Sequence, residues 1–180
     1  IGQLKNKIDE IEPVIRQADM LSFDITSIRI SDAPGNPNAT PFGFTGEEAC
    51  QIAWYAGMNN KLSSIGIYEY NTDEDIKGQT ASVIATMLWY FVEGFYNRKP
   101  DFDFQGDDYT KYIVTIKNNP HKIIFYKHKF TEKWWMEVPF PIEKSKYARV
   151  SVVPCGYSDY ETATKGELPT RWVTTHAKLI

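Results

Sequence analysis

Cysteine is scarce in this chain of 180 residues: Cys50 and Cys155 stand alone, far apart and without CxxC spacing. Neither a disulfide framework nor a cysteine zinc site is indicated. The three histidines, His121, His128 and His176, show no HxH or HxxxH spacing and read as surface or core residues rather than ligands or bases. No uncharged apolar run reaches the ~18 residues of a membrane span. The longest apolar stretch, Ile84 to Phe95, is interrupted by Glu93. The chain opens on Ile1 with no basic, then apolar, leader pattern, so no signal peptide is expected and a cytoplasmic location is. An excess of one charge is missing too: 20 Lys and Arg against 23 Asp and Glu give a net charge of −3 and no general nucleic-acid footprint. Internal repeats and low-complexity tracts are absent.

Aromatic residues are abundant, with 5 Trp, 11 Tyr and 10 Phe, and the 42% hydrophobic content is ordinary for a globular chain able to bury one core. Charge divides unevenly: residues 1–99 carry 8 − 13 = −5 and residues 100–180 carry 12 − 10 = +2. The change of sign falls in the Pro-, Gly- and Asp-rich stretch 100–108, which reads as a linker between a region 1–99 and a module 109–180. Asp101, Asp103 and Gln105-Gly106 imitate the start of an EF-hand loop, but Tyr112 stands where the bidentate Glu is required, so calcium binding is not supported.

In the first region, Ile1, Leu4, Ile8, Ile11 and Ile15 form a helical stripe. Pro13 predicts that this helix ends near Glu12 and a short second turn follows. Residues 20–25 read as a strand, followed by a long loop from Ser27 to Phe44. Thr45 with Glu48 three residues on makes a capping box for a helix to about Met58. Residues 62–70 read as a second strand and 79–96 as a long helix, apolar nearly all round, which predicts burial on more than one face. Strands alternating with helices indicate parallel βαβ units, with the two strands adjacent. Ligands in such sheets sit beyond the carboxyl ends of the strands, here marked by Asp24 and Glu69.

The residues Ser22-Phe23-Asp24-Ile25-Thr26, Ala33-Pro34-Gly35, Thr40-Pro41, Gly43 and Glu47 resemble the C-terminal signature of the ureohydrolases. That family includes arginase, agmatinase and formimidoylglutamase, and its pattern is SFDxDxxDP, an APG-like turn, TPxxGG and a helix. Tyr68-Glu69-Tyr70-Asn71 resembles the family's next strand end. The resemblance covers roughly residues 1–99 and implies the C-terminal half of a three-layer α/β/α domain. It also implies Mn²⁺-dependent hydrolysis of amidine C–N bonds, in which paired ions generate hydroxide and stabilise a tetrahedral intermediate. Carried over, it makes Asp24 a metal ligand, Glu69 the catalytic-pocket carboxylate and Thr40 a substrate-pocket residue. Three departures stand beside it. Thr26 occupies the position of the second carboxylate, Arg29 that of the third, and the family's upstream His and Asp-x-His-x-Asp segments do not occur in these residues. A degraded site with doubtful Mn²⁺ follows, and with it the alternative of a non-catalytic scaffold or assembly subunit. Asp24 also suits the capping of a turn, Glu69 a solvated strand terminus, and Arg29 an ion pair with Asp24 in place of the metal.

In the second region, residues 109–117 and 121–129 read as a hairpin joined at Asn118-Asn119-Pro120. Residues 133–138 and 147–153 give two more strands. Ser158 opens a short helix to Gly166, and Pro169 a last helix to Lys178, making a β-rich α+β extension. Lys122, Lys127, Lys129, Lys133, Trp134, Trp135 and Arg149 invite a single-strand nucleic-acid or carbohydrate surface. Alternation puts Trp134 and Trp135 on opposite sheet faces, one of them core, and favours a docking or structural use without nucleic acid. The expected partners are another protein, the family's N-terminal half packed over the long helix, or a second copy.

Overall fold

The computed structural model describes residues 7–99, 104, 106–116, 122–140 and 150–179. Ile1 and Leu4 of the predicted stripe, Asp101, Asp103 and Gln105, the 118–120 connection, His121 and Arg149 lie outside them. The chain divides into two compact units, Ile1–Pro100 and Asp101–Ile180.

In the first unit a 3₁₀ turn, Ile8–Ile11, runs into α1, Glu12–Ile15. The helix starts at Glu12 rather than ending there. Pro13 sits in the first turn, where its missing N–H is not needed. Strand β1, Met20–Asp24, pairs in parallel with β2, Ser64–Tyr68, from Met20 opposite Ser64 to Asp24 opposite Tyr68. Between them lies α2, Gly46–Gly57, opened by the expected capping box: the Thr45 hydroxyl accepts from Glu48 N–H, and Glu48 accepts from Thr45 N–H. The third helix, α3, covers Gln79–Tyr96 as predicted.

The core of this unit gathers Phe23, Ile28, Phe44, Ile52, Ala53, Leu62 and Met87. Helices α2 and α3 meet backbone to backbone at Gly57 and Gly94. A Cβ on Gly57 would lie 2.1 Å from Phe91 O, and one on Gly94 2.4 Å from Trp54 O. Within the first unit α3 packs one face against the core. Its buried residues are Thr80, Met87 and Gly94, whereas Trp89 is 72% and Tyr96 82% exposed.

The second unit is a four-stranded antiparallel sheet in the order β3-β4-β5-β6: Tyr109–Thr115, Lys122–His128, Trp134–Pro139 and Val150–Cys155. Helices α4, Tyr157–Thr164, and α5, Thr170–Leu179, complete it. The cap of α4 lies at Gly156 rather than Ser158, with Gly156 N–H donating to Asp159, which also pairs with Arg171 at 3.0 Å.

Two expectations about this sheet change. Trp134 and Trp135 are both buried, so neither offers a stacking platform. Trp134 packs among Tyr112, Tyr157 and Tyr160, and Trp135 contacts Phe104 and Tyr109. Three of the basic residues are committed: Lys133 is buried, Lys127 pairs with Glu132 and Lys129 donates to Asp107 O, while Lys122 is exposed. His128 is buried and its Nδ1 accepts from the N–H groups of Phe130 and Thr131, a structural use. His176 stacks on Trp172.

Candidate functional site

The carboxyl ends of the two parallel strands bring Asp24 and the β2 exit together, as the topology requires. Asp24 is the cap of a 3₁₀ turn, Ile25–Ser27. Its Oδ1 accepts from the Thr26 N–H at 2.8 Å and from the Thr26 hydroxyl at 2.7 Å, and its carbonyl accepts from the Ser27 hydroxyl. Arg29 does not turn to Asp24. Its Nε lies 2.8 Å from Asp32 Oδ1, an i,i+3 pair, and the other Asp32 oxygen accepts from Gly46 N–H at the start of α2. Burial pushes the Asp32 carboxyl up, but the hydrogen bonds from Arg29 and Gly46 outweigh it and hold it below the usual carboxylate range.

The loop after Asp32 carries the APG turn. Gly35 N–H donates to the buried Thr80 hydroxyl at 2.7 Å, and Gly35 O accepts from Asn71 N–H. Asn36 is buried and donates from Nδ2 to the carbonyl of Glu69, whose φ is +66°. The backbone of Glu69 is therefore fixed in a left-handed turn while its side chain is exposed. Asp75 completes the loop by capping α3 through the N–H groups of Thr80 and Ala81, with Tyr70 donating to its second oxygen. Thr40 is exposed and its hydroxyl donates to Phe42 O. The glycine of the TPxG segment has a steric reason. A Cβ on Gly43 would lie 2.4 Å from Ser27 O, where Phe44 bridges to Ile28.

The sequence patterns did not single out Asp32, Asn36 or Asp75, the residues that tie this rim together. The signal available for Asn36 was its place after Pro34-Gly35, since Asn side chains in such turns bond nearby backbone.

The strand ends of this chain present few donors for a divalent ion. At the β1 exit one oxygen of Asp24 is engaged by Thr26, the position of the second carboxylate supplies a hydroxyl, and Arg29, in place of the third, pairs with Asp32. Among the described residues, no three His, Cys, Asp or Glu side chains gather as a metal-binding group. No described helix is long and apolar enough to cross a membrane.

A groove of about 1080 Å³ lies between α2 and α3, with Glu47 and Trp54 on one side and Val83, Tyr90 and Glu93 on the other.

No curated protein matches the chain. Among solved structures it is similar to formiminoglutamase from Trypanosoma cruzi, crystallised with Mn²⁺, at 23% identity and a TM-score of 0.51 over 54% of this chain and 35% of that one. It is similar to formimidoylglutamase from Bacillus subtilis at 24% identity and a TM-score of 0.50, over 55% of this chain and 34% of that one. The chain thus spans about a third of the length of these structures, and the likeness is one of fold. The sequence profile of the arginase family matches residues 2–93, just over half of the chain and the stretch holding both parallel strands and all the strand-end residues described above. This chain belongs to the arginase family.

Proposed function

We propose that this arginase-family chain acts as a non-catalytic, ureohydrolase-fold binding or assembly subunit, its strand-end carboxylate serving a structural role. The observation that carries the reading is the double hydrogen bond from Thr26 to one oxygen of Asp24. A carboxylate used as the cap of a turn, beside a hydroxyl and close to a cation in sequence, lacks the charge and ligand count that hold divalent ions. A cytoplasmic location accords with this reading and with two buried free thiols.

The competing reading is hydrolysis of a linear amidine C–N bond with Mn²⁺. It draws on family membership and on the Mn²⁺ in the Trypanosoma cruzi structure. It assigns Asp24 to the metal, Glu69 to the substrate and Thr40 to the pocket wall. The geometry favours it less, because the Thr40 hydroxyl already gives its proton to Phe42 O and can meet a substrate only as an acceptor.

Metal analysis of the purified protein after Mn²⁺ loading and dialysis decides between them, run beside an assay for ammonia, urea or formamide release from amidine substrates. The expected result is substoichiometric manganese and no release. Stoichiometric manganese retained by wild type and lost in Asp24→Asn would overturn the proposal.

A further inference from the structure

The groove between α2 and α3 meets the strand-end rim only at Asp32 and the sequence motifs only at Glu47. Its shape follows from the packing of the two helices. At Gly57 and Gly94 the backbones touch, whereas near the start of α2 a Cβ on Gly46 would reach α3 only through the Val83 side chain, at 3.6 Å. The α3 residues that line the groove run from Gln79 to Glu93. At 1.5 Å per residue this is a furrow about 21 Å long, the length of four helical turns.

Its chemistry is one-sided. The walls carry three carboxylates, Asp32, Glu47 and Glu93, and no Lys, Arg or His. Asp32 is occupied by Arg29 and by Gly46 N–H. Glu47 and Glu93 are exposed, and neither makes an ion pair among the described residues. Between these two acids Trp54, Val83 and Tyr90 supply apolar surface, interspersed with Gln51, Ser82 and Thr86. The walls are helices and a loop, without a strand, so an extended peptide would find no sheet edge to pair with. A helix laid along the furrow satisfies its own backbone and presents side chains on one face.

We propose that this groove docks an amphipathic helix of a partner protein. Its apolar face meets Trp54, Val83 and Tyr90, and Lys or Arg near its two ends face Glu47 and Glu93. The aromatic and aliphatic middle supplies affinity, and the acids supply orientation and selection against acidic partners. The proposal stands whether or not the strand-end site turns over a substrate, since it shares with that rim only Asp32.

The test is fluorescence anisotropy of a labelled synthetic helical peptide of about sixteen residues, with a Leu and Ala face and Lys at both ends, titrated with the 180-residue protein. A scrambled peptide of the same composition and a Glu-for-Lys peptide serve as comparisons. Saturable binding is expected for the first peptide alone, falling with added salt. It should weaken about tenfold in Glu47→Gln/Glu93→Gln and in Tyr90→Ala, and hold in Asp73→Asn/Glu74→Gln, which removes the same charge from an exposed turn away from the groove. Absence of saturation overturns the proposal. So does equal binding of the scrambled peptide, equal loss in the Asp73→Asn/Glu74→Gln variant, or undiminished binding by either groove variant. Circular dichroism of each variant verifies the fold.

Discussion

Thr26 directs both its backbone N–H and its hydroxyl at the same oxygen of Asp24, at 2.8 and 2.7 Å. An aspartate held this way stabilises the turn that leads the chain away from β1. An asparagine oxygen accepts the same two bonds. Asp24→Asn is therefore expected to melt within a few degrees of wild type. Asp24→Ala loses the cap, at a typical cost of ~1 kcal/mol. In none of the three proteins, wild type included, should added Mn²⁺ change the melting temperature. Thermal melts with and without Mn²⁺ measure all of this, and a rise in wild type alone would return Asp24 to the metal.

Gly57 and Gly94 oppose two effects of known size. Alanine in a helix interior gains ~1 kcal/mol over glycine from propensity. Here the added methyl would lie 2.4 Å from Trp54 O at position 94 and 2.1 Å from Phe91 O at position 57, both backbone atoms that cannot move alone. Overpacking of this kind costs about 1–3 kcal/mol and sometimes more, so packing wins. Gly94→Ala and Gly57→Ala should both lower the urea midpoint. An unchanged or higher midpoint would mean that the two helices do not touch as described.

Much of the first unit was legible because its signals are local. Thr45 and Glu48 announce the start of α2 three residues apart, and the long apolar run from Gln79 is one that α3 follows to Tyr96. The meeting of the two strand ends, expected at Asp24 and Glu69, followed from alternation of strands and helices, although β2 stops one residue earlier, at Tyr68. What sequence could not show was choice among partners. Arg29 had Asp24 and Asp32 within a few residues, and the 3₁₀ turn at Ile25–Ser27 gave it to Asp32. The burial of Trp135 depends on Phe104, thirty-one positions earlier, and no periodicity reports that contact. The acidic groove likewise exists only because Gly57 and Gly94 bring two separate helices into register.

The exposed side of α3 makes a different prediction. Trp89 and Tyr96 are 72% and 82% exposed, with Leu88, Val92 and Phe95 each near half exposed beside them. Such a contiguous apolar face promotes association. Trp89→Lys/Tyr96→Lys should leave the denaturation midpoint almost unchanged, as surface substitutions do, while reducing self-association at high concentration. Light scattering after size exclusion measures the second effect. A large loss of stability would mean instead that these side chains are packed against something.

The last prediction concerns Tyr126, which donates its hydroxyl to Glu137 Oε1 at 2.5 Å on the second unit's sheet. Burial of the phenol, then its hydrogen bond to the Glu137 carboxylate and the negative charge there, push its pKa up from 10.0 to about 12. The unfolded chain therefore releases this proton near pH 10, while the folded one keeps it until about pH 12. Between those values the folded state binds more protons, so stability falls as pH rises. The contribution is fully present below pH 10 and gone above about pH 12, and its size is on the order of 2 kcal/mol. In Tyr126→Phe this part of the alkaline limb should disappear. Denaturant midpoints between pH 9 and pH 12 for the two proteins would show wild type losing its advantage across that window. Parallel limbs in wild type and variant would mean that Tyr126 ionises alike in both states, and that the bond to Glu137 is not made in solution.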